Sequence, residues 1–155
     1  LCLGMLYYTT EPYRLLKLML RAAKETVILD TFTATYAAIQ GKDAPQVYES
    51  VNEDTLKLPI LLTALTQPGK KDYTLPLSFN YRSKDLSLIT LPSAELLEIW
   101  FQSLNVQFRK LDWSTYGTRP CTYHDLLTPE QKKSSHWADV YTSGVRVSYS
   151  LHKKK

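Results

Sequence analysis

A phenol and a carboxylate each fall at the edge of an apolar run: Tyr7 after Leu1–Leu6, and Asp30 after Val27-Ile28-Leu29. Open α/β sheets present ligand-binding groups at such strand ends. Tyr7 can hydrogen-bond a polar group of a cofactor or substrate there, or pack as an aromatic beneath the chain that follows. Asp30 is either a loop cap or a carboxylate oriented toward substrate. The run Tyr81-Arg82-Ser83-Lys84 interleaves aromatic and basic side chains, as RNA-contacting surfaces do. Tyr81 and Arg82 are its candidate substrate contacts, although half-buried loop tyrosines produce the same pattern. Lys132 and Lys133 are able to hold a carboxylate or phosphate as point charges; a solvated charged loop is the alternative.

Metal chemistry finds no support in the spacing. His124 adjoins Asp125 and His136 adjoins Trp137, but no HxxE, HxH or HExxH pattern occurs. A base and its orienting carboxylate need contact in space, which adjacency in sequence does not supply. Cys2 and Cys121 make neither a CxxC clip nor a disulfide framework, so a reducing, cytoplasmic setting is expected. Cys2 reads as a small apolar core residue.

The elements that must position these groups follow from the apolar pattern. Leu1–Leu6 reads as a strand buried on both faces. Thr10 suits a helix N-cap and Pro12 a first turn, so a helix is predicted from about Glu11 to Ala23. Leu15, Leu16, Met19, Leu20 and Ala23 form its buried stripe. Arg14, Lys17, Arg21 and Lys24 line another face, read as solvated in preference to phosphate-binding. Thr26–Phe32 is a second strand, and strand–helix–strand predicts a mostly parallel sheet.

Residues 33–90 hold Pro45, Pro59, Pro68 and Pro76 and read as an insertion, a substrate cap within a single domain spanning 1–155. Leu58–Leu65 is predicted as a short helix and Tyr73–Tyr81 as an extended or hairpin segment. Ser93 then caps a helix whose Leu96, Leu97, Trp100, Phe101 and Leu104 share one face, with Glu95, Glu98 and Gln102 toward water. Val106–Trp113 is a further strand. Val145–Leu151 alternates with period two and closes the order β-α-β-insertion-α-β-loop-β.

Composition agrees with one folded domain. The 155 residues are 44% hydrophobic and 22% charged, with mean hydropathy −0.26. No run is long enough to span a membrane. The net charge of +4 includes Lys153, Lys154 and Lys155, so the remainder is close to neutral and basicity alone is weak evidence for nucleic acid. Opening directly into an apolar run at Leu1, the sequence reads as a fragment.

Three segments carry a family resemblance. Leu3-Gly4-Met5-Leu6-Tyr7-Tyr8-Thr9-Thr10-Glu11-Pro12 is similar to a G-[VL]-L-Y-H-x-x-x-P strand end. Leu91-Pro92-Ser93-Ala94-Glu95-Leu96-Leu97-Glu98-Ile99-Trp100-Phe101 is similar to an I-P-S-x-x-x-L-x-x-W-L helix. Thr128-Pro129-Glu130-Gln131-Lys132-Lys133-Ser134, with Trp137, is similar to an E-Q-R-[RK]-T-x-W motif. In this order they resemble the C-terminal half of a class I S-adenosylmethionine-dependent methyltransferase, and within it the tRNA wobble-uridine carboxymethyltransferase family.

The resemblance implies an α/β fold: the last four strands of a seven-stranded Rossmann-like sheet, the final strand antiparallel. It also implies alkyl transfer to a nucleophilic acceptor such as a tRNA wobble uridine. The donor would be S-adenosylmethionine or its carboxylated derivative, with Tyr7, Lys132 and Lys133 toward the cofactor and Tyr7 and Asp30 at the reacting groups. The family's glycine-rich loop and ribose-binding acid have no counterpart among these residues, where no GxG occurs; a missing N-terminal half would hold them. Tyr8 stands at the family's histidine, and Lys132 and Lys133 at its arginine pair, where an ammonium lacks the bidentate fork. The other reading is a non-catalytic Rossmann-like module whose opening strand adds to a partner's sheet edge.

Overall fold

The computed structural model describes residues 1–39, 53–66, 78–81, 84–112 and 144–154. Strand β1 (Cys2–Leu3) leads through Gly4 and a 3-10 turn (Leu6–Tyr8) into helix α1 (Pro12–Ala22), and β2 (Thr26–Phe32) follows. Next come α2 (Ala34–Ile39), α3 (Glu53–Leu56), β3 (Leu61–Thr66), β4 (Ser78–Tyr81) and β5 (Lys84–Pro92). Helix α4 (Ala94–Ser103), β6 (Val106–Lys110) and β7 (Arg146–Lys153) complete the order.

Two sheets result. The first runs β1-β2-β7-β6, with β1 and β2 parallel and β7 antiparallel to both its neighbours. Three strands therefore share one direction and the last opposes them. The expected mostly parallel sheet is mixed, because β7 lies between β2 and β6 and makes both of its ladders antiparallel. The second sheet, β3-β5-β4, is antiparallel throughout.

Helices α1 and α4 pack on one face of the first sheet. Leu16 and Leu20 of α1 and Leu97 and Phe101 of α4 join Val27, Leu29, Val147, Tyr149 and Leu151 in a single core. The i, i+4 spacing of each helical pair puts both side chains on the same stripe. Strand alternation does the same for the odd-numbered residues of β2 and β7. Burial of each such side chain contributes about 1.5–3 kcal/mol. The Tyr149 ring stands edge-on to Phe101 at 5.0 Å, and its hydroxyl donates to Glu98 at 2.9 Å. Burial first, and the Glu98 carboxylate second, push that phenol above its ordinary range. Glu98, expected to face water, is thereby drawn to the core edge.

Several boundaries differ from the sequence reading for identifiable reasons. The predicted strand Leu1–Leu6 shortens to Cys2–Leu3, since Gly4 turns left-handed at φ 68° and breaks the extension. It is not buried on both faces either: Cys2 is buried, but Leu1, Leu3 and Met5 are exposed. Thr10 does not cap α1; Glu11 is the N-cap, and its amide donates to Thr9 Oγ1 at 3.1 Å. Leu58–Leu65 is not a helix. Leu61–Thr66 pairs with Ser87–Pro92, a partner that the helix expectation did not include.

Ser93 ties the second sheet to α4. Its hydroxyl accepts from Leu96 N–H at 3.2 Å as the predicted cap. It also accepts from Ile60 N–H at 3.2 Å and donates to Leu58 C=O at 2.7 Å. Ser93→Ala is expected to cost about 1–2 kcal/mol, the loss of a cap together with a second anchor. Urea denaturation would read this as a lower midpoint at unchanged m value.

Candidate functional site

Where β1 and β2 end and β7 begins, polar and aromatic side chains converge. Register places Asp30 opposite Ser148 and beside Leu3, with Arg146 two residues along β7 on the same face. Arg146 donates from Nη2 to Asp30 Oδ1, and Ser148 Oγ donates to Asp30 Oδ2. The Asp30 side chain is 6% exposed and that of Arg146 24%. A carboxylate buried this deeply requires such partners.

Asp30 lies two residues inside β2 rather than at its end. The register turns Asp30 toward β7, where Arg146 and Ser148 are among its partners. That pairing also defines the residues the sequence reading did not single out, Arg146 and Ser148. The available signal was the alternation Val145-Arg146-Val147-Ser148-Tyr149-Ser150, which sets one polar row opposite the apolar row that joins the core. Asp30, Ser148 and Ser150 are all buried on this polar face.

The guanidinium of Arg146 sits 4.7 Å from the centroid of the Phe32 ring. Its Nε is buried and meets no acceptor among the described residues. Phe32 in turn packs against Tyr7 at 5.0 Å and Tyr36 at 4.6 Å, and Tyr7 against Tyr8 at 4.3 Å. Ile89 and Leu91 of β5 and Leu62 of β3 close over this group. Tyr7 thus packs beneath the inserted sheet, with its hydroxyl directed to the Gly4–Arg146 side.

Gly4 makes that approach possible. It has φ 68°, and a Cβ there would meet Tyr7 Oη at 3.3 Å and Arg146 Nη2 at 3.7 Å. Its amide donates to Asp30 C=O at 2.9 Å, which holds the turn against β2. Gly4→Ala is expected to cost about 1–2 kcal/mol from the left-handed backbone alone. A thermal midpoint below that of the parent chain is the check; an unchanged midpoint would contradict the turn geometry.

At the other boundary, Thr33 Oγ1 donates to Gly144 C=O at 2.7 Å and accepts from Thr35 N–H at 3.2 Å. These bonds link the end of β2 to the start of β7. Cys2, on the core face beside Leu29, is buried, and burial raises its thiol pKa. It packs in the core as the small apolar residue the sequence suggested.

Of the sequence candidates, Tyr7 and Asp30 are brought to this one end of the sheet. Tyr81 is the last residue of β4, paired with Lys84 in the hairpin. Arg82, Lys132, Lys133, Cys121, His124, His136 and Trp137 lie outside the described residues. Among the described residues no cluster of three or more His, Cys, Asp or Glu is placed to hold a metal ion. No helix of the described residues is long and apolar enough to cross a membrane.

The cluster brings a guanidinium, a phenol and a carboxylate together at one end of the sheet, groups able to hold polar or anionic partners. It does not by itself fit a dinucleoside-type cofactor. Gly4 is occupied on its open side by Tyr7, and no glycine-rich turn leads from a strand into a helix. Comparison with protein-family models, with curated proteins and with solved structures finds no match.

Proposed function

We propose that this chain is the substrate-side half of a class I methyltransferase-type domain, acting by alkyl transfer to a polar acceptor. One observation carries the reading: four strands in the order β1-β2-β7-β6, three in one direction and the last opposed, with both connecting helices on one face. This is the arrangement the motif resemblance implies. The Tyr7–Asp30–Arg146 cluster supports it, lying where parallel strands end and ligands of open sheets bind.

In this reading the chain's own residues bind and orient the acceptor. Arg146, fixed by Asp30 and Phe32, offers the exposed part of its side chain to an oxygen of the acceptor. Tyr7 lines the same wall, and the inserted sheet shields it from water. On this reading a cofactor loop would join at β1, whose outer edge is unpaired among the described residues. Lys132 and Lys133 remain the candidates for an anionic group on the donor or acceptor, and Tyr81 and Arg82 for substrate. A tRNA wobble uridine is one acceptor of this chemistry.

Calorimetric titration of S-adenosylmethionine and its carboxylated derivative tests the reading. The titrations use the chain alone and the longest product of its reading frame. Micromolar binding confined to the longer product supports it. Preference for the carboxylated donor, abolished by Lys132→Ala with Lys133→Ala, supports the carboxymethyl form. Binding of neither donor by either product sinks the enzyme reading in favour of an interaction module.

A further inference from the structure

At the end of the first sheet remote from Tyr7, a groove of about 490 Å³ opens between the C-terminal ends of α1 and α4. Leu20, Leu104 and Val106 form its apolar part. Lys17, Arg21, Lys153 and Lys154 surround it, and no carboxylate is among its lining residues. We propose that this groove binds the phosphodiester backbone of a nucleic acid strand.

The charges come from two elements and converge through the fold. Lys17 and Arg21 are one turn apart on α1, about 5–6 Å between Cβ atoms. Lys153 and Lys154 arrive from β7, whose Lys153 amide donates to Glu25 C=O at 3.2 Å and so fixes the strand end beside the helix. Lys153 Nζ also donates to Ala23 C=O, which neutralises part of the helix C-terminal dipole. None of the four is ion-paired with a carboxylate among the described residues. Arg14 contrasts with them: it belongs to the same basic stripe in sequence but is paired with Glu11 at 3.1 Å.

Like charges gathered around a concave surface raise the local potential and attract an anion. Four of them exceed what one phosphodiester needs and match several successive phosphates along a strand. Asn105, in the left-handed conformation at φ 54°, makes the tight turn from α4 to β6 that leaves the groove open between them. The proposal stands apart from the methyltransferase reading, because it uses the opposite end of the sheet and needs no cofactor.

The test is fluorescence anisotropy of a labelled single-stranded RNA with the full chain, without cofactor, across a salt series. Lys17→Gln, Arg21→Gln and Lys154→Gln together are compared with a charge-matched control, Arg14→Gln, Lys57→Gln and Lys110→Gln. Lys153 is left intact because it anchors the end of α1. The groove variant is expected to bind at least about tenfold more weakly, with its log K against log salt slope reduced by about 2. The control should lose no more than a small part of this. Circular dichroism verifies folding, and ultraviolet crosslink mapping on the unaltered chain should place RNA on peptides of α1 and β7. Equal losses in both variants, crosslinks elsewhere, or no RNA binding at low salt would overturn the proposal. Binding of RNA by the chain, with neither donor bound by the chain or by the longer product, would leave this inference standing and remove the enzymatic one.

Discussion

Asp30→Ala is expected to destabilise the chain by about 3–5 kcal/mol, a cost comparable to deleting a large core side chain. The reason is what remains behind. Arg146 would keep its charge in a largely buried position, between the Phe32 ring and the Gly4 turn, with its carboxylate partner gone. The Ser148 hydroxyl's bond to Asp30 on the same face would go as well. Asp30→Asn should be less severe, since the amide oxygen can still accept from one of them. Most informative is the double variant Asp30→Ala with Arg146→Met, which removes both charges and keeps an apolar stem over Phe32. It is expected to be more stable than Asp30→Ala alone, with a coupling energy well above 0.5 kcal/mol. Chemical denaturation of the four species closes the cycle. A single variant within about 0.5 kcal/mol of the parent, with no coupling, would show that Asp30 has no structural role at this junction.

That cycle also bears on function. An Asp30 that serves only by holding Arg146 is a positioning residue for whatever the guanidinium contacts. Its removal would then weaken acceptor binding through Arg146, and the conservative Asn would recover part of it. Direct participation of the carboxylate in proton transfer would leave Asn as damaging to turnover as Ala.

How much of this was legible beforehand depended on the range over which each residue acts. The stripe of α1 and the face of α4 were readable because helical period is local: Leu16 with Leu20, and Leu97 with Phe101, are one turn apart. Ser93 was readable as a cap for the same reason, but its bonds to Leu58 and Ile60 were not, since they span some 33–35 positions. Thr26–Phe32 showed as a strand from its β-branched run, whereas Leu61–Thr66 did not, because its identity depends on Ser87–Pro92. The site followed the same rule. Tyr7 and Asp30 were visible at the edges of apolar runs. Arg146, 116 positions from Asp30, was hidden, because only the register of β2 with β7 brings the two together. A lone carboxylate in an apolar strand did imply a buried donor somewhere; nothing short of the pairing said which.

Phe101→Ala should be as costly as Asp30→Ala, about 3–5 kcal/mol, but for a different reason. The Phe101 ring is fully buried, 5.2 Å from Phe108 and 5.0 Å from Tyr149. It is the point where α4 meets β6 and β7, so its removal leaves a cavity that three separate elements line. The edge-on pair with Tyr149 adds about 0.5–1.5 kcal/mol beyond burial, and the tilted contact with Phe108 is lost with it. Tyr149 would also be less firmly held for its bond to Glu98. Helix propensity works in the opposite direction, since alanine is the better helix former. Ile99→Ala on the same helix isolates that term: Ile99 is 46% exposed, and its replacement should change stability by no more than about 0.5 kcal/mol. Against the 5–15 kcal/mol by which a domain is typically stable, the Phe101 loss is large enough to leave the chain partly unfolded at ambient temperature. Urea titration of both variants decides it. Similar small shifts in the two would mean that α4 is not anchored to the sheet through Phe101, and that the layer holding the candidate site together lies elsewhere.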